Sequence, residues 1–143
     1  MRFVVATHGH CFDGLASAVL FTRLVREVTG TSPTFEYRAC GYGPGQARAE
    51  ELLLGGDDNA ILDYRYTNTP KLGWYFHHHR TGFQNPHDRA PFEQRVPGGR
   101  FFFDAAYSSC TKLVADVAEQ RFGVDTSALS DLVRWADRVD SAR

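Results

Sequence analysis

Phe3-Val4-Val5-Ala6-Thr7-His8-Gly9-His10-Cys11-Phe12-Asp13-Gly14 opens on five residues suited to a buried strand and closes on ligand-type side chains and a glycine. The next residues, Gly14 to Val28, read as a helix with Ala18, Phe21, Val25 and Val28 on one face and Arg23 and Glu27 opposite. A strand that turns straight into an amphipathic helix is the first half of a βαβ unit, and the same alternation recurs down the chain. Thr34 to Arg38, Ala60 to Asp63, Trp74 to His77 and Arg100 to Asp104 read as further strands. The loop Gly41 to Gly45 leads into an expected helix around Gln46 to Leu54, and Gly55-Gly56-Asp57-Asp58-Asn59 is a turn. Two helices close the chain. One places Cys110, Leu113, Val114, Val117 and Ala118 on a stripe and stops at Gly123. The other starts near Thr126 or Ser127 and aligns Leu129, Leu132, Val133 and Ala136. Residues 84–99 hold three prolines and no period, and read as a long loop, either a flap or an insertion. The fold class is α/β: one domain, residues 1–143, with a mainly parallel sheet of about five strands and helices on both faces.

At 143 residues, 43% of them hydrophobic and 23% charged, the chain can bury a core, which argues against disorder. Sixteen basic and 17 acidic residues leave a net charge of -1, so any contact with a polyanion must be local. Cys11, Cys40 and Cys110 are too scattered for a disulfide framework or a structural zinc knuckle, and suit a reducing compartment. The apolar N-terminal run is too short for a signal peptide. No stretch approaches the roughly 20 apolar residues of a membrane span, so the expectation is a cytoplasmic protein without a membrane partner. Oligomeric state leaves no mark on the sequence.

The chemistry lies in where the apolar runs end. Val4-Val5-Ala6-Thr7 meets His8, with His10 and Asp13 behind it, and Ala60-Ile61-Leu62 meets Asp63. Trp74-Tyr75-Phe76 meets His77, His78 and His79, and Phe101-Phe102-Phe103 meets Asp104. In a parallel sheet the strands' C-terminal ends share one edge, where open α/β sheets hold ligands. On the last helix Asp137 and Asp140 fall on or beside the apolar stripe, where an unpaired carboxylate costs several kcal/mol. Imidazoles and carboxylates without a thiolate pair suit Mn2+, Mg2+ or Zn2+. Two such ions roughly 3.5–4 Å apart could activate a water and clamp a phosphoryl group, with Asp63 the natural bridge.

Thr7-His8-Gly9-His10-Cys11-Phe12-Asp13-Gly14-Leu15-Ala16-Ser17-Ala18 resembles motif I of the DHH phosphoesterase superfamily. Asn59 to Tyr64 is similar to its motif II, Phe76-His77-His78-His79-Arg80-Thr81 to motif III and Trp135-Ala136-Asp137 to motif IV. The resemblance implies a parallel α/β domain with two Mn2+ (or Mg2+) ions that hydrolyses phosphoesters or phosphoanhydrides. Carried over by position, it makes His8 and Asp13 motif I ligands and Asp63 the bridge and a catalytic group. His78 and Asp137 complete the second metal. His79 would sit beside the phosphate, as ligand support or an electrostatic partner, and counts with Asp63 as a catalytic group. Arg80, beside the His run, is independently a candidate phosphate contact. The chain departs from the family in three places. His77 stands where motif III has Asp, and would support its neighbours. Cys11 stands where a second Asp is usual, leaving His10 as the alternative ligand and favouring Zn2+ at one position. The chain also ends just after motif IV, where family enzymes continue into a second, substrate-holding domain.

The resulting expectation is a metal-dependent phosphoesterase acting on a nucleotide or a short single-stranded oligonucleotide. Its competitors are a degenerate or truncated domain that binds metal or nucleotide without turnover, and an inorganic pyrophosphatase. Plainer readings stand beside several residues. Asp13 could cap its helix, Asp63 its turn, and Asp137 could pair with Arg134 or Arg138. Asp140 reads as a surface or supporting charge, and Asp104 as a group close behind the ligands or the substrate. Ser109 and Lys112, at the opening of a helix, could hold a phosphate with the backbone N–H groups or could simply cap the helix.

Overall fold

Alternation along each strand decides which side chains face which layer. The computed structural model describes residues 1–9, 11–51, 53–83 and 85–141. Its elements are β1 (Arg2–His8), α1 (Phe12–Thr29), β2 (Thr34–Cys40), β3 (Asp58–Leu62), β4 (Trp74–His77), α2 (Arg89–Arg95), β5 (Phe101–Phe103), α3 (Cys110–Phe122) and α4 (Ser130–Ser141), with short 3-10 turns around α2 and before α4. The five strands form one sheet in the order β2-β1-β3-β4-β5, every pair parallel, as the sequence pattern implies. Phe3, Val5, Ala60, Leu62, Trp74 and Phe76 point to one face, where Phe21, Leu24, Val114 and Ala118 of α1 and α3 pack on them. Ala6, Ile61, Tyr75 and Phe101 point to the other, covered by Ala49, Leu54, Tyr64, Tyr66, Leu72 and Phe92. Period-two alternation with both faces apolar is the pattern of a doubly covered parallel sheet.

Strand order also explains the layers. From β1 the chain steps outward to β2, then returns past β1 to β3 and continues the other way to β4 and β5. Right-handed crossovers in opposite directions must lie on opposite faces. α1 accordingly occupies one face, and the connections after β2, β3 and β4 occupy the other. The reversal makes the C-terminal ends of β1 and β3 a topological switch point, the usual place for a ligand crevice.

Three expectations need correcting. The described residues of 46–54 form turns and irregular chain, with no helix, and only Ala49 and Leu54 among them are buried. Ala49, Leu52 and Leu53 offer helical spacing, but the buried pair, Ala49 and Leu54, is five residues apart and would fall on different faces of a helix. Residues 85–99 are not a bare loop. They carry α2, with Pro91 in its first turn, where its missing N–H costs nothing, and Phe92 buried beneath the sheet. Val28 is exposed, and α1 buries Leu20 and Leu24 instead. Among the described residues, no helix is long and apolar enough to cross a membrane.

The entry from β1 into α1 is tight. A Cβ on Gly14 would lie 2.4 Å from the His8 carbonyl oxygen, an immovable backbone atom. Gly14→Ala should therefore destabilise the fold by about 1–3 kcal/mol, as overpacking does, and lower the urea midpoint without changing the slope. An unchanged midpoint would mean that the strand end yields freely.

Candidate metal centre

Backbone geometry brings the ligand-type residues to the switch point. His8 ends β1, and Asp13 lies in the first turn of α1. Asp63 follows β3 directly in a left-handed conformation (φ 57°), which Asp tolerates better than most residues, and its N–H donates to the Phe76 carbonyl at 2.9 Å. A non-glycine residue held there is the kind of local strain that clusters at functional sites. His77, His78 and His79 leave the end of β4 next to it. His10 lies outside the described residues.

Asp13 is the most constrained of these groups. It is 1% exposed, and its carboxylate accepts from the backbone N–H groups of Cys110 and Thr111, both at 2.8 Å, and from Thr111 Oγ1 at 2.7 Å. A buried anion thus sits on the positive end of α3. Burial pushes its pKa up. His78, Thr111 and the two backbone donors outweigh burial, holding the carboxyl below its ordinary range.

His78 occupies the middle. Its Nδ1 lies 3.0 Å from the Tyr107 carbonyl. Only a protonated Nδ1 can donate there, which turns Nε2 toward the carboxylates. Nε2 is 3.4 Å from Asp13 Oδ2, 3.5 Å from Asp63 Oδ1 and 3.2 Å from Asp140 Oδ2. These are ion-pair distances, yet Nε2 makes no hydrogen bond of acceptable angle, and Asp63 Oδ1 and His77 Nδ1 are also buried without a partner. Burial opposes charge on His78, but Asp13, Asp63 and the Tyr107 carbonyl raise its pKa to about 10. His77 goes the opposite way. Burial, then His79 and His78, lower its pKa to about 3. Its 3.9 Å approach to Asp63 is therefore not an ion pair at neutral pH.

Three sets of ligand atoms, each set within 4.8 Å, arise from these groups: His8, Cys11 and Asp63; Asp63, His78 and His79; and Asp13, His78 and Asp140. Asp63 belongs to two of them. One of its oxygens, Oδ2, lies 3.5 Å from Cys11 Sγ, while Oδ1 faces His78. Polar atoms this deeply buried and unpaired are rare, and a cation is a standard way to satisfy them.

Several sequence expectations land elsewhere. Asp137 accepts from Ser108 Oγ at 2.5 Å and Ser109 Oγ at 2.9 Å, and Asp140, one turn later, takes the place beside His78. A phosphate on α3 is not favoured, because Asp13 already takes its first N–H groups. Ser109 caps Lys112 N–H, and the Lys112 ammonium pairs with Asp116 at 2.9 Å. Asp104 shapes the turn after β5, accepting from Ala106 N–H at 2.9 Å, and stays out of the three sets. His77 stands behind Asp63, its Nδ1 3.9 Å from Asp63 Oδ1 and its ring against Gly82 and Phe103. His79 and Arg80 are exposed at the rim. Cys11 and Asp140 are the members of these sets that sequence reasoning did not choose as ligands. Asp140 had a signal, standing four residues after Ala136 on the buried side of α4.

Comparison with protein-family models, with curated proteins and with solved structures finds no match for this chain.

In the metal-free chain the His78 imidazolium offsets part of the charge of the carboxylates around it. Its folded pKa of about 10 exceeds the unfolded value of roughly 6.5, so the stabilisation is complete below that value and lost as pH rises toward 10. A bound divalent cation would take over that role and displace the proton. The Tm of metal-stripped protein should fall from pH 6.5 to 9, and Mn2+ should flatten the fall. Parallel curves with and without Mn2+ would contradict this.

Proposed function

We propose that the chain is a metal-dependent phosphoesterase domain of the DHH type, acting on a nucleotide or a short single-stranded oligonucleotide. The observation that carries this reading is the shared carboxylate. Asp63 joins two ligand sets at the sheet's switch point, with its inner oxygen and the facing His78 Nε2 buried 3.5 Å apart and without a hydrogen bond. Those donors could hold two divalent ions: His8 and Asp63 would hold one and Asp13, His78 and Asp140 the other, with Asp63 Oδ1, 3.5 Å from His78 Nε2, within reach of the second. When bound, such ions would lower the pKa of an attacking water and stabilise charge on the phosphoryl oxygens.

The chain's own residues prepare that chemistry. The first turn of α3 holds Asp13 in place, and the Tyr107 carbonyl fixes the tautomer of His78, the second-sphere support that metal-binding histidines need. Neutral His77 backs Asp63 without competing for its charge. His79 and Arg80 stand at the exposed rim, where they could meet a phosphate. Beside His8 and Cys11 opens a groove of about 960 Å3, with Phe12, Leu15 and Val19 on one wall and Tyr37 and Arg38 on another. Apolar and aromatic walls with arginine suit the base and sugar of a nucleotide better than bare pyrophosphate.

The test is Mn2+-dependent hydrolysis of bis-p-nitrophenyl phosphate and a short RNA by the metal-loaded chain and by Asp63→Asn. The expected loss in the variant is at least about 100-fold, the size seen when one stabiliser of developing charge is removed. Metal uptake without hydrolysis by the native chain would instead make this a binding domain. Neither uptake nor hydrolysis would end the reading.

A further inference from the structure

Cys11 stands between β1 and α1, half-buried, at the N-cap of α1, where its side chain caps nothing. Its Sγ lies 3.5 Å from Asp63 Oδ2, and Sγ, a carboxylate oxygen of Asp63 and a ring nitrogen of His8 fall within 4.8 Å of one another. Asp63 is 4% exposed, and its other oxygen is buried without a hydrogen-bond partner. The thiol therefore faces the one carboxylate that both halves of the centre share. Neither other cysteine is so placed. Cys40 and Cys110 are buried, with Sγ directed to the carbonyls of Arg38 and Phe76.

The two halves of the centre also differ in donor chemistry. Asp13 and Asp140 with His78 offer two carboxylates and one imidazole, a hard set suited to Mn2+ or Mg2+. His8, Cys11 and Asp63 offer imidazole, sulfur and carboxylate, a softer set of the kind that selects Zn2+ or Co2+.

We propose that Cys11 is a metal ligand, so that the centre pairs a sulfur-containing site for a borderline-soft cation with an oxygen-rich site for a hard one. The inference rests on the dinuclear reading above and sharpens it from two like ions to two unlike ones. On binding, the Cys11 thiol gives its proton to solvent and the thiolate sulfur joins the cation. Asp63 spans the two sites with one oxygen toward each.

The experiment is a titration of the metal-stripped full chain with Co2+, followed by absorption. A near-ultraviolet sulfur-to-cobalt charge-transfer band should grow in with the native chain. It should be absent from Cys11→Ser and Cys11→Asp, while the visible d–d bands of bound Co2+ persist in Cys11→Asp. Far-ultraviolet circular dichroism confirms that each variant is folded, and the conservative carboxylate variant keeps the test decisive if the serine form is unstable. Visible bands without the charge-transfer band in the native chain would overturn the role of Cys11 and leave the dinuclear reading standing. A charge-transfer band that survives in both variants would assign the sulfur to Cys40 or Cys110 and also overturn it. No Co2+ uptake by the native chain would overturn the centre itself.

Discussion

A carboxylate buried at the start of one helix is tied to the first turn of another, nearly a hundred residues away. Asp13 accepts from the N–H groups of Cys110 and Thr111 and from the Thr111 hydroxyl, so the β1–α1 corner and the N-terminus of α3 are fixed to one another. An anion 1% exposed would be costly alone. Here it is offset by three donors, the field of a helix terminus and a neighbouring imidazolium. α4 packs against both α1 and α3, which brings Asp140 to the same place, 3.2 Å from His78. The candidate centre thus depends on a polar contact that is itself part of the tertiary scaffold.

Strands β1, β3, β4 and β5 were legible as short apolar runs bounded by turn residues, whereas β2 is a largely exposed strand at the sheet's edge. Helices α1, α3 and α4 were legible from their stripes, and the αL glycines Gly30 and Gly123 end the first two. α2 was not. Seven residues with one buried side chain, Phe92, hold no period to read, and the prolines nearby suggested a loop. The segment 46–54 misled in the other direction, since good helix formers with Ala49, Leu52 and Leu53 at helical spacing read as a helix, whereas the chain buries Ala49 and Leu54, which no single helix face presents together.

At the site, residue types and their strand-end positions were readable, and the convergence of His8, Asp63 and His78 followed from parallel topology. The choice between Asp137 and Asp140 was not. Both lie near the buried face of α4, and only the packing of that helix on its neighbours determines which carboxylate reaches His78. Tyr107 contributes a carbonyl and Cys110 an N–H, groups that every residue carries and no sequence pattern announces. Cys11 was visible as a departure from a motif, whereas its distance to Asp63 needed coordinates.

The central claim is that Asp63 is shared between two cations held on either side of its carboxylate. Anomalous diffraction from crystals of the protein grown in Mn2+ and Zn2+ tests it directly. The account predicts two anomalous peaks flanking the Asp63 carboxylate, one toward His8 and one toward His78. Crystals with no peak there, and with His78 still closed on Asp13 and Asp140, would show that the imidazolium alone satisfies the cluster and would contradict the account.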